Sequence, residues 1–203
     1  MVEVKRVIDL GGSLGTGARE KISEIFADGF YGDLKMFCAD RARLARACAH
    51  MFALEHFYAA VIDGEIAGVI ACLDAKGYCV RYDWRELVRH LGLLRGLFAA
   101  FGFKYFSQDP KYPPEAGAGA GTASVEFVVT GARHRKMGVA KAILEHLHAL
   151  PQYGSYVLEV KDTNVAAVEL YRKMGYEEVY RKKFRWAKRA DFEYFVYMRY
   201  SKG

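Results

Sequence analysis

Two stretches of this sequence hold residue types at spacings that could do chemistry. The first is Val128-Val-Thr-Gly-Ala-Arg-His-Arg-Lys-Met-Gly-Val-Ala-Lys-Ala-Ile-Leu144. An apolar run gives way to a turn carrying Arg133, Arg135, Lys136 and Gly138. Apolar residues then recur at Ala140, Ile143, Leu144 and Leu147, the i, i+3, i+4, i+7 spacing of a helix lying on a sheet. A helix that opens directly from a strand presents unpaired backbone N–H groups, the positive end of its dipole and, at a glycine, room for close approach. Those are the needs of a pyrophosphate. An ordinary helix start with solvated arginines has the same spacing, so the stretch alone leaves both readings open.

The second stretch is Asn164-Val-Ala-Ala-Val-Glu-Leu-Tyr-Arg-Lys-Met-Gly-Tyr176. Ala167, Leu170, Tyr171 and Met174 share one helical face. Asn164 suits an N-cap, Gly175 a left-handed C-cap, and Tyr171 a core aromatic with its hydroxyl at the edge. Between these lies an acid–base candidate, Glu126, in the run Ser124-Val-Glu-Phe-Val-Val-Thr130. Alternation along that run leaves open whether Glu126 faces a substrate or is a surface or salt-bridged glutamate. Other signals fail on spacing. Gly11 to Gly17 lacks the Gly-Lys-Ser/Thr of a P-loop, and Glu20 stands where a dinucleotide fingerprint needs its third glycine. His146 and His148, two apart, cannot share a helix face, and Cys38, Cys48, Cys72 and Cys79 form no C-x-x-C pair, so no metal is expected.

The elements that must position these residues are strands from Val2 to Leu10, Phe57 to Ile62, Ile66 to Cys72, Ser124 to Thr130, Tyr156 to Lys161, Tyr176 to Lys182 and Glu193 to Tyr200. Helices are expected from Ala18 to Phe30, Asp40 to Phe52, Lys136 to Leu150 and Asn164 to Met174. Asp63-Gly64 marks a hairpin. The strand–helix–strand–helix order after residue 122 implies a right-handed βαβ crossover. Residues 82 to 122 read as an insertion between the third and fourth strands. It comprises one helix from Trp84 to Phe101 with a broad apolar face, then the Pro/Gly/Ala-rich tract from Asp109 to Gly121, expected to be a mobile connection. Its apolar stripe reads first as core or a lid, second as a dimer surface, and third as a membrane-surface helix. The expected fold is α/β, a single domain over 1–203 with a mixed central β-sheet flanked by helices.

Composition narrows the field. The chain has 203 residues, 52% hydrophobic and 27% charged, with a formal net charge of +6. It can bury a core, and it is not a disordered tail. No run of about 18 uncharged apolar residues occurs, and the first ten residues lack a signal-peptide profile, so a cytoplasmic protein without a membrane partner is expected. The basic, aromatic run from Arg181 to Arg189 reads as a solvated turn, and no nucleic acid is expected as a partner.

Together the two stretches carry a resemblance. Arg135-Lys-Met-Gly138-Val-Ala140 resembles the Arg/Gln-x-x-Gly-x-Gly/Ala signature of the GNAT acyltransferase superfamily. Asn164 to Tyr176 is similar to that family's second characteristic segment, one strand later, and Asp63 to Val69 to its hairpin between the second and third strands. The departures are Ala140, where glycine is common, and Thr130-Gly-Ala132, where a hydrophobic residue and a proline often flank any residue. The resemblance implies acetyl-CoA as donor. Its pyrophosphate would lie on the N–H groups of Lys136, Met137, Gly138, Val139 and Ala140, with Arg135 or Lys136 adding charge. Val128 and Val129 would pair with the pantetheine amides, and Asn164 would reach the same arm by its side chain. Tyr171 would be the general acid toward the departing thiolate, and the Val129 N–H the oxyanion donor.

An amine must be neutral to attack a thioester, and alkyl ammonium groups have pKa values near 10, so a base is required. Glu126 is the candidate. The function expected is N-acetyl transfer to a primary amine through a tetrahedral intermediate, the acceptor being a small-molecule amine or a protein N-terminus. A non-catalytic acyl-CoA sensor is the competing class.

Overall fold

An Asp-Gly pair between two β-rich runs turns the chain tightly only if both residues take left-handed backbone. Asp63 and Gly64 do, with φ of 49° and 76°, and join β2 (Phe57–Ile62) to β3 (Glu65–Asp74) with Ile62 opposite Glu65. The computed structural model describes residues 2–106, 112–185 and 191–203. The remaining strands are β1 (Glu3–Arg6), β4 (Thr122–Thr130), β5 (Ser155–Lys161), β6 (Glu177–Lys183) and β7 (Tyr194–Ser201). Their order is β1-β2-β3-β4-β5-β7-β6. β4 and β5 run parallel while β1–β2, β2–β3, β5–β7 and β6–β7 are antiparallel, which makes the sheet mixed. The helices are α1 (Gly12–Thr16), α2 (Ala18–Gly29), α3 (Tyr31–Leu34), α4 (Arg41–Cys48), α5 (Trp84–Leu91), α6 (Leu93–Phe106), α7 (Val139–His148) and α8 (Val165–Lys173).

The chain forms two compact units, one of Met1–Ala71, Tyr78–Asp109 and Phe127–Ile143, the other of Cys72–Gly77, Pro110–Glu126 and Leu144–Gly203. The first is organised around phenylalanines. Phe26 lies 5.2 Å from Phe52 and 5.4 Å from Phe127, and Phe127 also meets Phe30 at 5.9 Å and Phe57 at 6.4 Å. Phe127 stands in β4 with φ of 49°, a conformation that interrupts a regular strand. A bulky residue there costs on the order of 1–3 kcal/mol. Packing against Phe26, Phe30 and Phe57 offsets that cost.

The second unit centres on an aromatic stack. His148 lies parallel to Tyr200 at 3.9 Å, and its Nε2 is 3.1 Å from the Tyr176 hydroxyl. Burial, with the Lys202 ammonium nearby, lowers the His148 pKa to about 4. A separate cluster joins Tyr112, Ala116, Ala75, Val157 and Tyr197. All four cysteines are buried and unbridged, and burial pushes the Cys48 and Cys72 thiols up to about 12.

Several boundaries depart from sequence expectation. The first strand stops at Arg6 and the chain coils into a 3₁₀ turn over Val7–Asp9. The glycine run closes into the short α1, and the helix over 41–48 ends in a 3₁₀ turn. The single helix expected from Trp84 to Phe101 is two helices, because Gly92 takes φ of 84°. The helix expected from Lys136 starts at Val139, since Lys136 and Gly138 both have positive φ. Residues 109–111 of the tract expected to be mobile lie outside the described residues. Its return half is packed, with Tyr112 and Ala116 buried and Gly117, at φ of 67°, against Arg199. Residues 186–189 of the basic run also lie outside the described residues.

Two outcomes follow. Phe127→Ala is expected to lower the unfolding free energy by roughly 3 kcal/mol, read from the urea midpoint; a loss under about 1 kcal/mol would show that the cluster does not hold the bend. Between pH 6.5 and about 4 the unfolded chain binds a proton at His148 that the folded ring refuses, so stability falls as pH drops through that window. His148→Gln should make the slope shallower there, measured by urea unfolding at stepped pH, and an unaltered slope would refute this assignment.

Candidate functional site

In the first unit the backbone leading to the turn is held from three sides. A Cβ added to Gly68 of β3 would lie 2.8 Å from the Val129 carbonyl oxygen and 2.7 Å from Val139 Cγ1. One added to Gly29, at the end of α2, would lie 2.5 Å from Val129 Cγ1. The Gly131 N–H donates to the Ala67 carbonyl at 2.8 Å. The absence of side chains at Gly68 and Gly29 therefore sets where Val129 sits.

Beyond it the turn is built for exposed backbone donors. Ala132–His134 form a 3₁₀ turn, with the His134 N–H donating to the Gly131 carbonyl at 2.8 Å. The Ala142 N–H donates to the Gly138 carbonyl at 2.9 Å, which makes Gly138 the cap and leaves the Val139 and Ala140 N–H groups without acceptors inside α7. A side chain added to Gly138 would meet open space, so this face of the turn is accessible to a ligand that approaches the backbone closely. The three cations divide. Arg133 pairs with Glu65 of the hairpin at 3.1 Å. Arg135 and Lys136 are exposed, with no ion-pair partner among the described residues. Open backbone, orphan donors, a helix dipole and two uncommitted cations fit a pyrophosphate.

The second unit holds Glu126, Asn164 and Tyr171. Glu126 is half-buried, and its Oε1 accepts a hydrogen bond from the Ser124 hydroxyl at 2.5 Å. Ser124 Oγ is also 2.6 Å from the Tyr112 hydroxyl. Serine has one proton, already directed at Glu126, so Tyr112 donates to Ser124. The chain Tyr112→Ser124→Glu126 orients the carboxylate. Sequence reading missed it. The spacing of Ser124 and Glu126 on one strand face was a signal for half of it; nothing local pointed to Tyr112.

Asn164 caps α8, its Oδ1 accepting from the Ala167 N–H at 3.3 Å, and this leaves the exposed amide Nδ2 as a donor. Tyr171 is buried, 5.8 Å from the Tyr176 ring, and its hydroxyl has no hydrogen-bond partner among the described residues. Burial pushes its phenol well above the ordinary range, so it is protonated at any working pH. Among the described residues no three metal-ligating side chains cluster.

Residues 19–176 match the sequence model of the acetyltransferase (GNAT) family. No curated protein matches the sequence. Three solved structures share the fold. PH1933 from Pyrococcus horikoshii OT3 is 15% identical, with a TM-score of 0.57 over 100% of this chain and 99% of that one. An N-acetyltransferase from Staphylococcus aureus Mu50 is 15% identical, with a TM-score of 0.56 over 98% and 100%. A ribosomal-protein-alanine N-acetyltransferase from Brucella melitensis is 13% identical, with a TM-score of 0.57 over 100% and 99%. The matched span takes in the hairpin, the Arg135–Ala140 turn and the Asn164–Tyr176 segment, and on that span the chain belongs to the acetyltransferase (GNAT) family.

Proposed function

We propose that this protein is an N-acetyltransferase that moves an acetyl group from acetyl-CoA to a primary amine by direct attack. The observation that carries the reading is the turn before α7, with its open Gly138, its unsatisfied Val139 and Ala140 N–H groups and the uncommitted Arg135 and Lys136. A pyrophosphate carries about two negative charges and many acceptors, and this turn offers the matching donors without a side chain in the way. Lys136 would add its N–H group, whereas the Met137 N–H, expected to join it, donates instead to the His134 carbonyl at 3.4 Å within the turn. Val128 and Val129 would hold the amides of the pantetheine arm through their main chain, and Asn164 would donate to the same arm through Nδ2.

The acetyl thioester supplies the electrophile; the protein must supply a base, an oxyanion donor and help for the leaving thiolate. Glu126, oriented by Ser124, takes one proton from the ammonium before attack, directly or through one water. The second proton passes from the nitrogen of the tetrahedral intermediate to the departing thiolate through solvent. The Val129 N–H, held by the Gly68 and Gly29 contacts, donates to the developing oxyanion. Tyr171 donates to the departing sulfur. A phenol is a weaker acid than a thiol, whose pKa is near 8.5, so its chief contribution is a hydrogen bond that stabilises the growing thiolate charge. The acceptor is a small-molecule amine or a protein N-terminus.

At a hundredfold excess over its dissociation constant, acetyl-CoA should stabilise the fold by about 2.7 kcal/mol, or roughly 5–10 °C in Tm. Gly138→Glu should abolish that rise by placing a carboxylate in the turn; an undiminished rise would put the pyrophosphate elsewhere. Tyr171→Phe should lower kcat about a hundredfold while leaving coenzyme affinity within about twofold, measured as thiol release over a panel of amines. Equal turnover would remove Tyr171 from the reaction. Thermal stabilisation with no thiol release for any amine would replace the enzyme reading with a sensing one.

A further inference from the structure

α6 is built inside out. Gly96, Ala99, Ala100 and Phe103, at i, i+3, i+4 and i+7, form its inner face. A Cβ on Gly96 would lie 2.4 Å from Val88 Cα of α5, Ala99 is fully buried, and Phe103 stacks on Phe37. Its large side chains lie on the opposite face. Leu94, Leu97, Phe98 and Phe101 repeat with the same spacing and are 83%, 46%, 48% and 69% exposed, Phe98 also meeting the Phe37 ring edge-on at 5.3 Å. The expectation of a core stripe holds for Leu87 and Leu91 of α5, which are buried, and fails for Leu94, Leu97, Phe98 and Phe101 of α6, where periodicity identified the face and mistook its direction. Such a contiguous apolar ridge, with Leu93 beside it at 62% exposure, is unfavourable in water and marks a surface that is covered in use.

Charge narrows what covers it. From Leu87 to Gln108 there is no Asp or Glu, and the cations there are Arg89, Arg95 and Lys104. Arg89 is paired with Glu86, whereas Arg95 and Lys104, exposed on opposite flanks of the ridge, have no ion-pair partner among the described residues. A second copy is a poor match. A two-fold contact sets a patch against itself, and this one would set Arg95 and Lys104 against the same cations of the other copy, with no acid between residues 87 and 108 to pair them. Leu94 and Phe101 are the ridge's most exposed side chains, which suits a deformable apolar phase. At 1.5 Å per residue its 14 residues extend about 21 Å, short of the roughly 30 Å hydrocarbon core, and no described helix is long and apolar enough to cross a membrane. A short helix with Leu and Phe on one side and basic residues at the flanks suits the plane of an anionic interface.

We propose that α6 docks this protein on the surface of an anionic lipid bilayer, with Leu94, Leu97, Phe98 and Phe101 entering the acyl-chain boundary and Arg95 and Lys104 at the headgroups. The expectation of no membrane partner rested on the lack of a spanning segment, which bears on crossing a bilayer and not on lying along one.

The test is sedimentation of the full chain with vesicles of equal parts phosphatidylcholine and phosphatidylglycerol, beside vesicles of phosphatidylcholine alone. The expected result is partition at least about tenfold stronger on the anionic vesicles, weakening with salt. Leu94→Glu combined with Phe101→Glu should lower partition at least about tenfold. Arg95→Glu combined with Lys104→Glu should do so on anionic vesicles only. Both pairs are solvent-exposed, so their Tm and acetyl-CoA stabilisation should match the parent chain, which separates a lost surface from a lost fold or a failed coenzyme reading. No partition on anionic vesicles would overturn the proposal. So would a dimer mass in light scattering that Leu94→Glu with Phe101→Glu converts to monomer.

Discussion

Phe127 is a large residue with a left-handed φ of 49° in the middle of a strand, and its ring is gripped by Phe26, Phe30 and Phe57. The strand on either side of it does two different jobs. Before it, β4 runs parallel to β5 from Thr122–Ser155 to Ser124–Val157 and carries Glu126. After it, β4 carries Val128 and Val129 toward the turn. A straight strand would continue one alternation of faces throughout. The bend at Phe127 lets the polar pair Ser124 and Glu126 and the buried Val129 each take their own environment. Ring packing offsets the local strain, and the two absent side chains at Gly68 and Gly29 admit the Val129 backbone and side chain at close range. The position of the turn before α7 thus depends on a packing interaction in the core.

Much of this architecture was legible in the residues because local chemistry decides it. Asp63-Gly64 can serve a two-residue turn, Asn164 has the acceptor a helix start needs, and Gly175, at φ of 85°, ends α8 as the cap expected of it. The bend at Phe127 was not legible. Ser-Val-Glu-Phe-Val-Val-Thr reads as plain alternation, and the rings that hold Phe127 come from residues 26, 30 and 57. The late start of α7 was hidden for a different reason: Lys136 is not a residue type that advertises positive φ. For α6 the period was right, yet periodicity carries no sign, and it takes tertiary contacts such as that of Gly96 with α5 to show which side faces in.

The polar groups show how few side chains are left uncommitted. Arg133 is spent on the hairpin, so the charge offered at the turn narrows to Arg135 and Lys136. Asn164 has two ends to its amide: the oxygen fixes the helix start, and that bond leaves the NH₂ as a donor. The return half of the insertion contributes as well. Tyr112 sits in the cluster with Ala116, Val157 and Tyr197, and from that anchored position its hydroxyl supports Ser124. An insertion that reads as a spacer therefore supplies part of the polar wiring around Glu126.

The cysteines have a practical consequence. With all four shielded from solvent and two of them resisting ionisation up to about 12, the native protein presents almost no nucleophilic sulfur at neutral pH. A colorimetric disulfide reagent added to the folded protein would therefore titrate free coenzyme against a nearly silent background, and slow colour development from the protein itself would report local opening around Cys48 and Cys72.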